Sequence, residues 1–228
     1  IVYLSHGGGP LPILGDPGHR AMVSFMRALP ARLRRPEAIL VISAHWEESA
    51  ATLLGAPHPP MLYDYYGFPP EAYQITFPAP GAPALAERMA RSLGEAGIPS
   101  RIDRQRGYDH GSFIPASLMY PAADIPMLQL SLLRGLDPAA HIALGAALRS
   151  LMGERVLVIG SGFTFHNLSR FVWGGEDVPD PANDAFQDWL IETCCGPLTE
   201  PERERRMIAW ERAPGARYCH PREEHLLP

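Results

Sequence analysis

Short apolar runs rich in β-branched residues alternate along the chain with segments in which apolar residues recur at helical spacing. The runs predict strands at 1–5, 37–43, 52–55, 98–102, 126–132 and 155–160, and the periodic segments predict helices at 18–34, 82–96, 137–152, 181–195 and 200–212. Such alternation is typical of a layered α/β protein. We therefore expect a single domain over residues 1–228, with three α/β/α layers around a central sheet that is mostly parallel or mixed.

Three of the predicted helices have recognisable starts. Asp137-Pro138 and Asp180-Pro181 each place a capping residue before a first-turn proline, and Thr199 with Glu202 has the spacing of a capping box. The longest segment without a periodic pattern, 56–81, is rich in proline and aromatic residues. Its rings could pack on one another or wall a pocket for a flat substrate.

Composition and charge narrow the classes of partner. A net charge of −5 and a pI near 6.0 give no general electrostatic reason to bind nucleic acid or an anionic membrane, so we expect a small-molecule ligand and neither of those partners. The three cysteines have neither a zinc-type spacing nor an obvious disulfide framework, which favours a reducing, cytoplasmic location. The chain opens on a strand without Met and stops soon after His225, so we expect the natural protein to extend beyond both ends.

Five of the nine histidines lie where an apolar run ends or among Gly, Ser and acidic residues: His6, His45, His110, His166 and His225. Ligands of open α/β sheets bind beyond the carboxyl ends of strands, and imidazole is a common ligand of zinc, iron and copper. A lone histidine is more often structural, but five in matching contexts favour a metal site. Successive members are 39 to 65 residues apart, which excludes zinc-finger and H-E-x-x-H spacing.

A catalytic metal keeps an open coordination position, so about three protein ligands are expected. One or two of the five histidines then remain for acid and base catalysis. Asp109, Glu223 and Glu224 could complete the ligand set or orient an imidazole, and the spacing does not distinguish these roles. For the other histidines we expect surface or capping roles at His19, His58 and His141, whereas His220 is equally consistent with lining the site.

A series of motifs resembles the class III extradiol ring-cleavage dioxygenases, and within them the 4,5-DOPA dioxygenase family. In order they are Ser5-His6-Gly-Gly-Gly-Pro, Ser43-Ala-His45-Trp, Tyr66-Gly-Phe-Pro69, Phe77-Pro-Ala-Pro-Gly81, Asp109-His110-Gly-Ser, Pro126-Met-Leu-Gln-Leu-Ser131, His166-Asn167 and Glu224-His225-Leu-Leu-Pro. The match runs from residue 3 to 228.

The resemblance implies a metal site at the carboxyl edge of the sheet, with His6, His45 and His225 as ligands. It implies that His166 acts as acid and base, with a role as a further metal ligand as the alternative, and that His110 hydrogen-bonds oxygen or the substrate hydroxyl. The wider class III group has a glutamate as third ligand, so Glu223 or Glu224 is the alternative to His225. Tyr66 and Phe68 are the candidate substrate-binding residues.

The implied reaction is cleavage of the ring of a catechol, DOPA-like or a related small phenolic compound, by O2 to an open semialdehyde. Fe(II) is the expected metal, with Zn(II) as a bound or surrogate metal, and we expect a monomer or a small homo-oligomer. The residues leave two alternatives. One is a zinc-dependent hydrolase on the same scaffold, because three imidazoles are also a ligand set of catalytic zinc. The other is a non-enzymatic metal-binding or interaction protein.

Overall fold

The computed structural model describes residues 1–149, 154–171 and 178–228. Its six strands are β1 (Val2–Ser5), β2 (Ala38–Glu48), β3 (Ala51–Leu54), β4 (Ser100–Asp103), β5 (Met127–Leu133) and β6 (Val156–Gly162). They form one sheet in the order β1-β6-β2-β5-β3-β4. Strands β1, β6, β2 and β5 are mutually parallel, β3 pairs antiparallel with β5, and β4 is parallel to β3. The predicted mixed sheet is confirmed.

The α-helices are α1 (Leu11–Leu14), α2 (Arg20–Ala28), α3 (Pro83–Glu95), α4 (His110–Met119), α5 (Pro138–Ala147), α6 (Pro181–Cys195), α7 (Glu200–Ile208) and α8 (Ala216–Cys219). Short 3-10 turns lie at Pro17–His19, Leu29–Arg32, Pro70–Gln74, Leu168–Arg170 and Trp210–Arg212. In the described part of the chain, no helix has the length and apolar character that crossing a bilayer requires.

The predicted capping residues start their helices. Asp137 and Asp180 accept a first-turn N–H at 3.0 and 3.1 Å, and the Thr199 N–H donates to the Glu202 carboxylate at 3.1 Å. These contacts satisfy amides that have no partner inside the helix. Helix α6 begins directly after its capping residue, and its limits, 181–195, are those predicted.

Three predicted helices were too long. Helix α2 covers only nine residues of 18–34, because Pro30 lacks an N–H and its ring clashes with the preceding turn, so the chain continues as a 3-10 turn. Helix α7 ends at Ile208 and another 3-10 turn follows. Helix α5 ends at Ala147, and residues 150–152 of the predicted helix 137–152 lie outside the described residues.

Helices cover both faces of the sheet, which gives the three expected layers. Alternate residues of a strand point to opposite faces. On β2, Val41 packs in the cluster that contains Phe113 of α4, whereas its neighbour Leu40 packs in the cluster that contains Met89 of α3 and Leu144 of α5. A third cluster joins α6, the turn at Trp210–Arg212 and α8.

Strand β2 differs from the prediction in a way that matters for the site. It was predicted to end at residue 43 but extends to Glu48, and its register with β5 shifts between Ile42 and Glu47. His45 therefore lies inside an irregular part of the strand rather than just after it. Such bulges redirect side chains and are common beside active sites.

Helix α4 was not predicted. Asp109 caps it, accepting the Ser112 N–H at 3.0 Å, and every helix residue except Ser117 is buried. A helix that is buried on all sides has no polar face, so its sequence lacks the amphipathic period by which helices are recognised.

Candidate metal centre

The fold brings the five candidate histidines together at the carboxyl edge of the parallel strands. His6 directly follows β1, His45 lies in the irregular part of β2, and His110 begins α4. His166 lies four residues after β6, and His225 lies in the segment that follows α8. The five come from distant parts of the sequence, so only the tertiary fold can assemble them.

Two groups of potential ligand atoms form within this cluster. Those of His6, His45 and His110 all lie within 4.8 Å of one another, as do those of His166, Glu224 and His225. The groups adjoin, since the ring centre of His225 is 5.0 Å from that of His45 and 5.4 Å from that of His6. The rings of His166 and His225 stack at 3.4 Å with an interplanar angle of 22°.

His6 is held in one tautomer by β6. Its Nδ1 is 3.0 Å from the Ser161 hydroxyl, and that hydroxyl donates its single proton to the Gly111 carbonyl. The hydroxyl can therefore only accept from His6, so Nδ1 carries the proton and Nε2 carries the lone pair. This Nε2 faces the Nε2 of His45 at 3.0 Å.

Asp64 holds His110. Its Oδ1 accepts from the His110 Nδ1 at 2.8 Å and from the His110 backbone N–H at 2.9 Å, while its Oδ2 is 3.9 Å from the His45 Nδ1. A carboxylate only accepts hydrogen bonds, so His110 also carries its proton on Nδ1.

Glu224 holds the other pair of imidazoles. Its Oε1 is 2.9 Å from the Nδ1 of His225 and 3.1 Å from the Nδ1 of His166. Its second oxygen faces the Arg222 guanidinium at 3.4 Å. The Glu224 side chain thus contacts both stacked rings from one side.

Burial makes the imidazoles of His6, His45 and His225 favour the neutral form, which is the form that binds metals. Burial and then the neighbouring histidines lower the pKa of His6 and of His45 well below the usual range, and burial also lowers the pKa of His225. Burial alone would raise the pKa of Glu224, but hydrogen bonds from His166 and His225 outweigh it and hold that pKa well below its usual range. The pKa of Asp64 is likewise lowered, because hydrogen bonds from His110 outweigh the effect of burial.

These donors fit a metal ion. His6 and His225 are 1% and 4% exposed, each has its Nδ1 held by an oxygen, and the lone pair on Nε2 is left for a ligand. An oxygen partner on the second ring nitrogen is the usual support of a metal-bound histidine. Two neutral imidazole nitrogens 3.0 Å apart either share one proton or direct their lone pairs at a common cation.

Two of the predicted candidate carboxylates bond residues other than the five histidines. Asp109 is fully buried and accepts from the Ser43 hydroxyl at 2.8 Å, the Gln129 amide at 2.7 Å and Arg106 at 2.9 Å. It therefore anchors the start of α4 to β2 and β5. Glu223 pairs with Arg217 at 2.7 Å.

Besides Asp64, the aromatic segment 56–81 brings the ring of Tyr65 to the cluster. Tyr65 is buried, with its ring centre 5.8 Å from that of His110 and 5.4 Å from that of Phe68. Tyr66 is 91% exposed. The rings of Tyr63, Tyr65, Phe68 and Tyr73 also contact one another, so this segment both packs on itself and borders the site.

The four other histidines have structural contacts or are exposed. His19 accepts the Gly8 N–H at 3.0 Å and bonds Asp16 at 2.7 Å, so it fixes the glycine-rich loop after His6. His141 accepts the Leu133 N–H at 3.0 Å, and His58 is exposed. His220 is fully buried, bonds the Thr164 carbonyl at 3.0 Å and packs against Phe186.

Glycines of β6 let the segment that carries His225 approach the sheet. A Cβ on Gly162 would lie 2.1 Å from the His225 carbonyl oxygen, and one on Gly160 would lie 2.6 Å from that of Pro228. The Phe163 N–H donates to the same His225 carbonyl at 2.9 Å, and Tyr3 also donates to it. The backbone of His225 is thereby fixed against β6.

Sequence reasoning missed Asp64 and Ser161 as partners of the histidines. Asp64 lies between Tyr63 and Tyr65 in the segment where only the aromatic rings drew attention. Ser161 belongs to Gly160-Ser161-Gly162 at the end of β6, and in this part of the sequence only His166 was identified as a candidate.

Residues 3–226 match the family model described as the catalytic LigB subunit of aromatic ring-opening dioxygenase. The dioxygenase tasH of Hapsidospora irregularis is 39% identical over 243 residues, covering 100% of this chain and 75% of its own length. The 4,5-DOPA dioxygenase extradiol proteins of Beta vulgaris and Escherichia coli K12 are 38% and 34% identical, covering 99% and 100% of this chain and 82% and 81% of their own lengths.

A solved structure shares the fold. The crystal structure of an uncharacterized protein from Escherichia coli K12 superposes with a TM-score of 0.77 at 32% identity, covering 91% of this chain and 78% of that one.

Proposed function

Because the chain belongs to the family of catalytic LigB subunits of aromatic ring-opening dioxygenases, we propose that it cleaves the ring of a small catechol, DOPA-like or a related phenolic compound, in an extradiol position with O2. The product would be a ring-opened semialdehyde. The observation that carries the proposal is the cluster of five histidines at the carboxyl edge of the sheet, with two Nε2 atoms 3.0 Å apart at its centre.

His6, His45 and His225 are the proposed metal ligands. The tautomers of His6 and His225 support this choice, since each has its Nδ1 bonded to an oxygen and its Nε2 free. Fe(II) is the proposed metal, and when bound it would supply electron transfer between catechol and O2, which Zn(II) cannot supply because it has no redox chemistry.

His110 is the alternative third ligand. Its ligand atom lies within 4.8 Å of those of His6 and His45, and its ring centre is 4.0 Å from that of His45. We assign it instead to hydrogen bonding with oxygen or the substrate hydroxyl. The family's Glu-His-Leu-Leu-Pro motif at Glu224 favours His225 as the ligand.

His166 is the proposed acid and base. It is half-buried beside His225, and its Nδ1 is held by Glu224, so Nε2 can take the proton of a catechol hydroxyl and return it later. The proposed substrate contacts are Phe68, whose ring packs on Tyr65, and Tyr66, whose exposed ring would have to close over a bound ring.

A zinc-dependent hydrolase is the second candidate, because a neutral set of three imidazoles is also found at catalytic zinc. The two candidates differ in their use of O2. Only the dioxygenase consumes O2 with a catechol.

The test is anaerobic reconstitution with Fe(II), followed by O2 uptake and absorbance scanning with a panel of catechols that includes DOPA. We expect O2 consumption in step with a new visible band from the semialdehyde. Iron-loaded protein that consumes no O2 across the panel, while the Zn(II)-loaded protein hydrolyses ester substrates, would overturn the proposal in favour of the hydrolase.

A further inference from the structure

One carboxylate oxygen serves two imidazoles at the edge of the cluster. Glu224 is 9% exposed, and its Oε1 lies 2.9 Å from the Nδ1 of His225 and 3.1 Å from the Nδ1 of His166. A carboxylate has no proton to donate, so the hydrogen bond with His225 requires a proton on its Nδ1, and a proton on the Nδ1 of His166 is what makes the 3.1 Å contact there attractive.

The stacking of the two rings determines where their other nitrogens point. The ring centres are 3.4 Å apart and the planes differ by 22°, and both Nδ1 atoms converge on the same oxygen. Because Nδ1 and Nε2 lie on opposite sides of an imidazole, both Nε2 atoms point away from Glu224.

We infer that Glu224 is a positioning residue that fixes His166 and His225 in the same tautomer, so that both present an Nε2 lone pair on one side of the cluster. For His225 the lone pair can bind a metal, and for His166 it can take a proton from a substrate hydroxyl. Either imidazole in the opposite tautomer, with its proton on Nε2, could do neither. The roles of His225 as metal ligand and of His166 as proton acceptor rest on the proposed function, whereas the inference about their tautomers does not.

Glu224 is itself held in place from outside the cluster. Arg222 faces its second oxygen at 3.4 Å, and Arg222 also pairs with Glu47 of β2 at 2.7 Å. The carboxylate is thus tied to the strand that carries His45. Its neighbour Glu223 pairs with Arg217, which makes Glu223 a matched control with the same charge.

The direct test is long-range 1H–15N NMR of the imidazoles in the metal-free and Zn(II)-loaded protein at pH 8. We expect His166 and His225 to carry the proton on Nδ1 in the metal-free protein, and His225 to keep it there when zinc binds. A proton on Nε2 of either imidazole in the wild-type protein would overturn the inference.

Variants separate positioning from a general structural role. Glu224→Gln keeps an acceptor oxygen, so we expect both tautomers to persist, whereas Glu224→Leu should leave mixed tautomers. Loss of an outer hydrogen-bond partner of this kind lowers metal affinity or activity about 10- to 100-fold. We therefore expect kcat of the iron-loaded enzyme to fall by that amount in Glu224→Leu and by less in Glu224→Gln. KM should be nearly unchanged in both variants. Glu223→Gln should match the wild type in both measurements.

Unchanged tautomers in Glu224→Leu would contradict the inference. If Glu224→Leu does not fold, the wild-type spectra and those of Glu224→Gln still test the inference. Loss of the Nδ1 proton in Glu224→Gln would contradict it. Wild-type protein with the expected tautomers but no O2 uptake would refute the proposed function alone.

Discussion

The Nε2 atoms of His6 and His45 lie 3.0 Å apart. His6 directly follows β1 and His45 lies in β2, and β6 lies between these two strands in the sheet. The intervening strand takes part in this arrangement, since Ser161 of β6 accepts from the Nδ1 of His6. Three neighbouring strands thus define the position and the tautomer of one imidazole. A bound cation at this point would meet a preorganised pair of lone pairs.

Removal of one proposed ligand should abolish metal binding. We expect His45→Ala to lose most of its metal. Removal of a residue that only hydrogen-bonds a ligand already lowers metal affinity about 10- to 100-fold, and removal of the ligand itself lowers it further. Metal content per folded chain after dialysis against one equivalent of Zn(II) or Fe(II) measures this, with the exposed His58→Ala as control. Full occupancy in purified His45→Ala would refute its assignment as a ligand.

The proposed base should be separable from the metal. His166→Ala is expected to retain the metal but to lose about 10²- to 10⁴-fold in kcat, which is the usual contribution of general acid–base catalysis. Paired measurements of metal content and O2 uptake check this. If the metal is lost together with activity, His166 is a ligand and not only a base.

Gly162 should be required for the position of His225. In Gly162→Ala the new Cβ would lie 2.1 Å from the His225 carbonyl oxygen, so the segment must move and metal affinity should fall by 10-fold or more. Gly145→Ala in α5 is the control, because its Cβ meets no atom within 4 Å, and we expect a gain of about 0.5–1 kcal/mol in unfolding free energy there. Isothermal titration with Zn(II) and urea unfolding measure the two effects, and an unchanged affinity in Gly162→Ala would show that His225 is not held in this way.

His220 should stabilise the fold above pH 6.5 and lose that effect in acid. Burial lowers its pKa to about 4, so between pH 6.5 and 4 the unfolded chain takes up a proton that the folded chain does not. Stability relative to His220→Gln should therefore fall as the pH drops through this window, by at most about 3 kcal/mol. Urea unfolding at pH 7, 5.5 and 4.5 measures the difference, and a pH-independent difference would contradict the shift.

The parts of the fold that local chemistry determines could be predicted from the sequence. Asp180 and Pro181 specify a helix start by their own hydrogen bonding and backbone restriction, and α6 begins there. All six strands were found because apolar, β-branched runs need no distant partner to be recognised. Helix α4 was missed, since burial on all sides removes its period.

Of the site, the histidines could be named from the sequence but most of their partners could not. Asp64 reaches His110 across 46 positions, and nothing near Asp64 in the sequence distinguishes it from an exposed loop carboxylate. Asp109 was the more visible candidate, yet it caps α4 and bonds Gln129 instead. Such pairings depend on how strands and loops meet in space.

The most direct test of the proposed centre is anomalous diffraction at the iron edge from crystals grown anaerobically with Fe(II). We predict one peak at bonding distance from the Nε2 atoms of His6, His45 and His225, with His110 and His166 outside that distance. A peak bound by His110 in place of His225, or one remote from His6 and His45, would contradict the account.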